Sequence, residues 1–187
     1  MEIKQTSRAA EVFATAIKDA EHLLQHFNTL NKHPPPPDIE VLKRAGLIMA
    51  MTAWETYVED RVTEAADARL SGLADSDIGA FVKARLDDEI KRLHNPNAEK
   101  TIQLFRDYAG IDLTDRWAWN NFDPLLVRQR LNHYLKLRGD IVHRSRVVEP
   151  GPPQAQPVTK DSLQKAIQFL KALVLATEAA VCMQRLS

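Results

Sequence analysis

The sequence predicts an all-α fold, a helical bundle of five to six helices, and three observations lead there. Glycine is scarce, at six residues in 187. Ala, Leu, Glu, Lys and Arg, all good helix formers, dominate the composition. Apolar residues recur at i, i+3 and i+4 through most of the chain, and the alternation of a half-buried strand is nearly absent. With 44% hydrophobic and 27% charged residues the composition is ordinary for a globular protein. A single domain over 1–187 is expected, long enough to bury a core without disulfides or structural metal.

Each element follows from its own signals. From Ser7 to Asn31 the residues Ala10, Phe13, Ala14, Ile17, Ala20, Leu24 and Phe27 recur at helical spacing. Pro34 to Pro37 then enforce an extended, exposed connection near 33–38. A long helix follows from Asp38 to Leu70, and its middle, GLIMAMTAWETYVEDRV, is apolar enough to be the central core helix. A third runs from Asp75 to His94, where Asn95-Pro96 stops it. A fourth spans Ala98 to Tyr108 and ends at Gly110. The stretch from Ile111 to Phe122 has no period and reads as an ordered loop pinned by Trp117 and Trp119. Asp123-Pro124 is a strong start signal, an N-cap carboxylate before a proline at the first helical position. That helix runs to Ser145, and a second exposed Pro-rich connection follows near 149–158. The last helix takes Lys160 to Gln184, with apolar Leu163, Ile167, Leu170, Leu173, Leu175, Ala179 and Val181.

Composition also bounds location and chemistry. The one cysteine, Cys182, excludes an internal disulfide and reads as a small core residue, which fits a reducing cytoplasm. The start MEIKQTSRAAEV has charges where a signal peptide needs its apolar core. The apolar run from Ala45 to Trp54 is about half of the roughly 20 residues a membrane span needs, so no membrane association is expected. His22 and His26 lie four apart, as metal ligands can, but Leu23 stands where a zincin has glutamate and no Cys/His cluster completes a site. No metal and no cofactor are expected. His94 reads as a helix-end residue and His133 as a surface residue able to meet phosphate.

The informative stretch is LKLRGDIVHRS, from Leu135 to Ser145. On a helix the neighbours of Arg138 are Tyr134, Leu135, Ile141 and Val142, which places a guanidinium inside the core-facing stripe. That group stays charged at any ordinary pH, so it requires a partner anion or an open cleft there. His143 stands five residues on, about 140° around an ideal helix. One reading is structural: Arg138 pairs with Glu55 or Glu59 of the central helix, and His143 is a cation at a helix C-terminus. The charge pattern favours another. Arg128, Arg130, Lys136, Arg138, Arg144 and Arg146 face only Asp140 between Pro124 and Arg146, while the central helix carries Glu55, Glu59, Asp60 and Glu64 around Arg61. A chain of zero net charge thus presents a basic strip suited to a polyanion.

Arg138-Gly-Asp-Ile-Val-His143 resembles the R-x4-H motif of HEPN domains, and the apolar pair before the histidine is similar to the RiboL-PSP branch. So is the upstream segment Ala53-Trp54-Glu55-Thr56-Tyr57-Val58-Glu59. The resemblance implies a HEPN-like bundle acting as a metal-independent endoribonuclease, a toxin or defence nuclease with an antitoxin protein as partner. His143 would move protons and Arg138 would meet the phosphoryl charge, in a cleft shared by the two subunits of a homodimer. Asp140, Glu55 and Glu59 would support them, and Arg128, Arg130, Lys136, Arg144 and Arg146 would bind RNA. The family's arginine is commonly followed by a polar residue, often Asn; Gly139 departs from that, and Asp140 is placed to supply the contact. Trp117 and Trp119 either stack bases or anchor their loop. The alternative is a non-catalytic helical interaction module that binds a nucleotide, an RNA or a partner protein in the same groove.

Overall fold

Helix ends fall where short polar side chains can satisfy orphan amides. Ser7 Oγ accepts from Ala10 N, Ser76 Oγ from Gly79 N and Asn97 Oδ1 from Lys100 N. The computed structural model describes residues 6–32, 36–144 and 158–184. Over these, the helices are α1 (Arg8–Leu30), α2 (Glu40–Arg69), α3 (Asp77–Lys91), α4 (Ala98–Leu104), α5 (Pro124–Arg144) and α6 (Lys160–Gln184). Most of the two proline-rich connections, at 33–35 and 149–157, lies outside the described residues. Single 3₁₀ turns at Pro37–Ile39 and Ser71–Leu73 flank α2. The expected helix from Ala98 to Tyr108 differs in one respect: after Leu104 it widens into a π-helical turn, Phe105–Ala109. Gly110 at φ 71 closes that turn, and the amide of Ile111 reaches the carbonyl of Phe105 at 3.0 Å.

The apolar middle of α2 is the axis of the core. Leu47, Ala50, Met51, Trp54, Tyr57, Val58 and Val62 are buried against α1, α5 and α6. Gly46 permits one close crossing, since a Cβ there would lie 2.8 Å from Leu163 Cδ2 of α6. The loop before α5 is ordered by its own side chains. Trp117 is fully buried and donates to Thr177 Oγ1 at 2.9 Å, and Trp119 stacks on Phe122 with ring centroids 5.1 Å apart.

A polar anchor crosses the core on one side of α2. Glu178 of α6 accepts at a single oxygen from Tyr57 (2.8 Å), Ser7 (3.0 Å) and Arg61 Nε (2.7 Å). Glu64 stands 3.7 Å from Arg61 and also accepts from the Ala9 amide at 2.9 Å. Arg61, 4% exposed, therefore finds its closer carboxylate on α6 and its second within its own helix. Burial, and then the Glu178 charge and hydrogen bond, push the Tyr57 phenol well above its ordinary range.

Three apolar residues read at helical spacing or as core face outward: Ala14 of α1 and two on α6. Leu175 is 72% exposed and Cys182 is exposed, neither in the core. The buried stripe of α6 runs through Leu163, Ile167, Leu170, Val174 and Val181 at spacings of three, four and seven, and Leu175 and Cys182 share a side off that stripe. By length and composition alone the span Lys160–Met183 could cross a membrane, but half of its apolar window is buried within this bundle, as in a core helix.

Replacing Glu178 by Ala leaves Arg61 buried without its main partner. We expect a loss of about 3 kcal/mol in urea unfolding, largely regained in the double variant Arg61→Met/Glu178→Leu. The native state should also weaken as pH rises above about 10, because unfolded tyrosine ionises there and buried Tyr57 resists. Tyr57→Phe should flatten that decline.

Candidate functional site

The site begins with how α5 is set. Asp123 accepts from the Leu126 amide at 2.8 Å, and Pro124 occupies the first turn. The inward stripe of α5 carries Val127, Leu131, Tyr134, Leu135 and Ile141, all buried. Arg138 belongs to this stripe one turn beyond Tyr134, with 27% of its side chain exposed. Its Nη2 lies 3.8 Å from Glu55 Oε2 on α2, and its Nη1 lies 3.4 Å from Asn95 Oδ1. Its Nε is buried and has no hydrogen-bond partner among the described residues. At those lengths the ion pair is loose and the amide contact weak, so most of the five N–H donors are not spent on the described residues.

The loop between α3 and α4, His94-Asn95-Pro96-Asn97, forms the opposite wall. Trp54 Nε1 donates to the Pro96 carbonyl at 3.2 Å, and Glu55 Oε1 accepts from the Asn95 amide at 3.0 Å. Asn132 of α5 accepts from the Ala98 amide at 2.9 Å and closes the other end. Asn95 sits at φ 64, a left-handed conformation that Asn tolerates better than most side chains. One turn along α2 from Glu55 is half-buried Glu59. Burial first, then the charges of Glu55 and Asp60, raise its carboxyl, and His94 is near enough to oppose the rise.

The structure thus brings together Arg138, Glu55 and Asn95, with Glu59 and His94 adjoining. His143 is exposed near the end of α5 and has no ion pair with this cluster among the described residues. Val142, expected in the apolar surround of Arg138, is 39% exposed because the core ends at Ile141. Asp140 is half-buried, two residues beyond Arg138 and so on a different side of the helix. A Cβ at Gly139 would meet nothing within 4 Å.

The basic side chains do not make one continuous strip. At about 100° per residue, Arg128, Arg130, Lys136 and Arg138 leave α5 in four directions. Arg128 is half-buried and donates to the Pro124 carbonyl at 3.3 Å, while Arg130 and Lys136 are exposed. The side chain of Arg144, and Arg146 altogether, lie outside the described residues.

Trp117 is fully buried and closed to base stacking, and Trp119 is half-buried within an aromatic cluster with Phe122, Phe169 and Tyr134. His22, His26 and His133 are exposed. Sequence reasoning missed Asn95 and the placement of His94. Their signal was the His-Asn-Pro tripeptide, read only as a helix stop.

The raised Glu59 carboxyl binds its proton more tightly in the folded state, so its ionisation costs stability once pH passes the ordinary carboxylate range. Glu59→Gln should therefore stabilise the protein at neutral pH, and the gain should vanish in acid, read from urea midpoints across pH. Gly139→Ala should add about 0.5–1 kcal/mol in the same measurement, since the site is helical and open.

No curated protein and no solved structure matches the chain. A model of the RiboL-PSP-HEPN family matches residues 11–183, a span that takes in all six helices but the first turn of α1 and the last residue of α6. This chain, with Arg138 of α5 facing Glu55 of α2, is thus a member of the RiboL-PSP-HEPN family.

Proposed function

We propose that this chain is a metal-independent endoribonuclease of the HEPN type. The observation that carries the reading is Arg138: a permanent cation in a core-facing stripe, bound loosely by Glu55 and Asn95, with its Nε unpartnered among the described residues. A guanidinium so placed is suited to donate to two phosphoryl oxygens at once as their charge grows. His143 acts as the acid/base. Cleavage without metal uses the 2′-hydroxyl as internal nucleophile, and an imidazole is the side chain suited to take its proton. Glu55 and Glu59 hold the site, Asn95 supplies the polar contact that Gly139 lacks, and Arg128, Arg130, Lys136, Arg144 and Arg146 meet the RNA backbone.

A two-fold dimer completes the site. Arg138 and His143 diverge by about 140° on one helix, whereas two facing copies surround one phosphate with four groups. An isologous contact achieves this with a single patch. The exposed Val142 beside His143 adds apolar surface to that contact. A toxin or defence role in the cytoplasm, with an antitoxin protein as partner, belongs to the same reading.

Purified protein incubated with RNA in EDTA should produce fragments ending in a 2′,3′-cyclic phosphate. Arg138→Ala should lower the rate by about 10²–10³-fold and His143→Ala by about 10²–10⁴-fold, with helicity and dimerisation kept. A strictly monomeric protein at micromolar concentration, or cleavage that survives both substitutions, rules the mechanism out. A dimer that binds RNA without cutting it favours the interaction module instead.

A further inference from the structure

Phosphodiester transesterification moves two protons, one off the 2′-hydroxyl and one onto the departing 5′-oxygen. In an in-line displacement those oxygens lie on opposite sides of phosphorus, so one imidazole cannot serve both at once. His143 supplies one carrier, and the loop facing Arg138 holds another candidate.

His94 is exposed and immediately precedes Asn95, whose amide is fixed by Glu55 at 3.0 Å and whose side chain touches Arg138 at 3.4 Å. Its position is built rather than incidental. The Pro96 carbonyl is held by Trp54 and the Ala98 amide by Asn132, both after Asn95, and buried Leu93 anchors the chain just before His94. Glu55 and Glu59 are one turn apart on the same side of α2. With Asn95 seated at Glu55, His94 comes within electrostatic reach of Glu59. Arg138 thus touches, through Asn95, a loop whose exposed histidine lies 44 residues away in sequence.

We propose that His94 is a second proton carrier of this site, delivering the proton that the leaving 5′-oxygen takes up. The proposal rests on the ribonuclease reading above. In the step, the neutral imidazole of His143 from the facing copy takes the 2′-hydroxyl proton. The O2′–P bond forms as the P–O5′ bond breaks, and the His94 imidazolium gives its proton to O5′. The products are the 2′,3′-cyclic phosphate and a 5′-hydroxyl. Both histidines return to their starting states by exchange with solvent, with no other reactant.

The test compares two substrates with the full-length protein. RNA leaves an alkoxide that needs the proton; uridine 3′-(4-nitrophenyl phosphate) leaves a phenolate that does not. His94→Ala should slow RNA cleavage by about 10²-fold and the aryl ester by less than about threefold, while His143→Ala slows both. Equal losses on both substrates, or no loss on RNA, overturn the role of His94 and leave the ribonuclease reading standing. A readout without turnover comes from a 2′-O-methyl RNA oligomer, which binds but cannot be cleaved. Its addition should shift the His94 imidazole NMR signal, assigned with His94→Gln. Binding that leaves that signal unmoved defeats this proposal alone. Neither binding nor cleavage by the native protein defeats both.

Discussion

Two adjacent residues of the central helix, Trp54 and Glu55, fix the one loop on which the candidate site depends. A buried indole N–H needs an acceptor, and Trp54, fully buried, finds it in the Pro96 carbonyl. The next residue gives one carboxylate oxygen to the Asn95 amide and turns the other toward Arg138. Their bearing is set by the opposite side of the helix. Arg61, six residues beyond Glu55 and about 120° away around α2, is locked to Glu178 of α6 at 2.7 Å. Rotation of α2 that moved Glu55 off the loop would also pull Arg61 from its buried partner. Core and site are therefore coupled through one helix, and the site is stiff because the core is.

The fold was largely legible in the sequence because its signals are local. The Ser7 cap, Asp123-Pro124 and the αL position at Gly110 each act within a few residues, and the structure has a helix end at each. Arg138 was legible for a related reason: helical spacing alone shows a charge within an apolar stripe, and such a charge implies a partner carboxylate. Glu55 fills that place. Contacts between distant segments were not legible. Nothing near His94 or Asn95 announces that they meet a helix about 40 residues earlier, and nothing around Arg61 points to Glu178. Leu175 and Cys182 were misplaced because apolarity was taken for inwardness, whereas α6 buries only one stripe and has apolar residues to spare.

The division of Glu55 between its neighbours bears on whether Arg138 can act on an external anion. A carboxylate bonded tightly to a guanidinium would compete with phosphate and quench the site. Here the closer contact of Glu55 is to the Asn95 amide, at 3.0 Å, and the guanidinium stands 3.8 Å away, beyond hydrogen-bonding distance. Glu55 thus offsets the charge of Arg138 enough to hold it in a half-buried stripe without saturating its donors. Asn95 contributes in the same sense, since an amide oxygen at 3.4 Å orients the guanidinium without neutralising it. A phosphoryl oxygen arriving at hydrogen-bond distance would meet weaker competition than a bidentate carboxylate presents, and it would gain most as its own charge grows. Gly139 is consistent with that arrangement: with a polar contact to Arg138 supplied across the loop by Asn95, the residue after the arginine is freed from that duty and no neighbour crowds it.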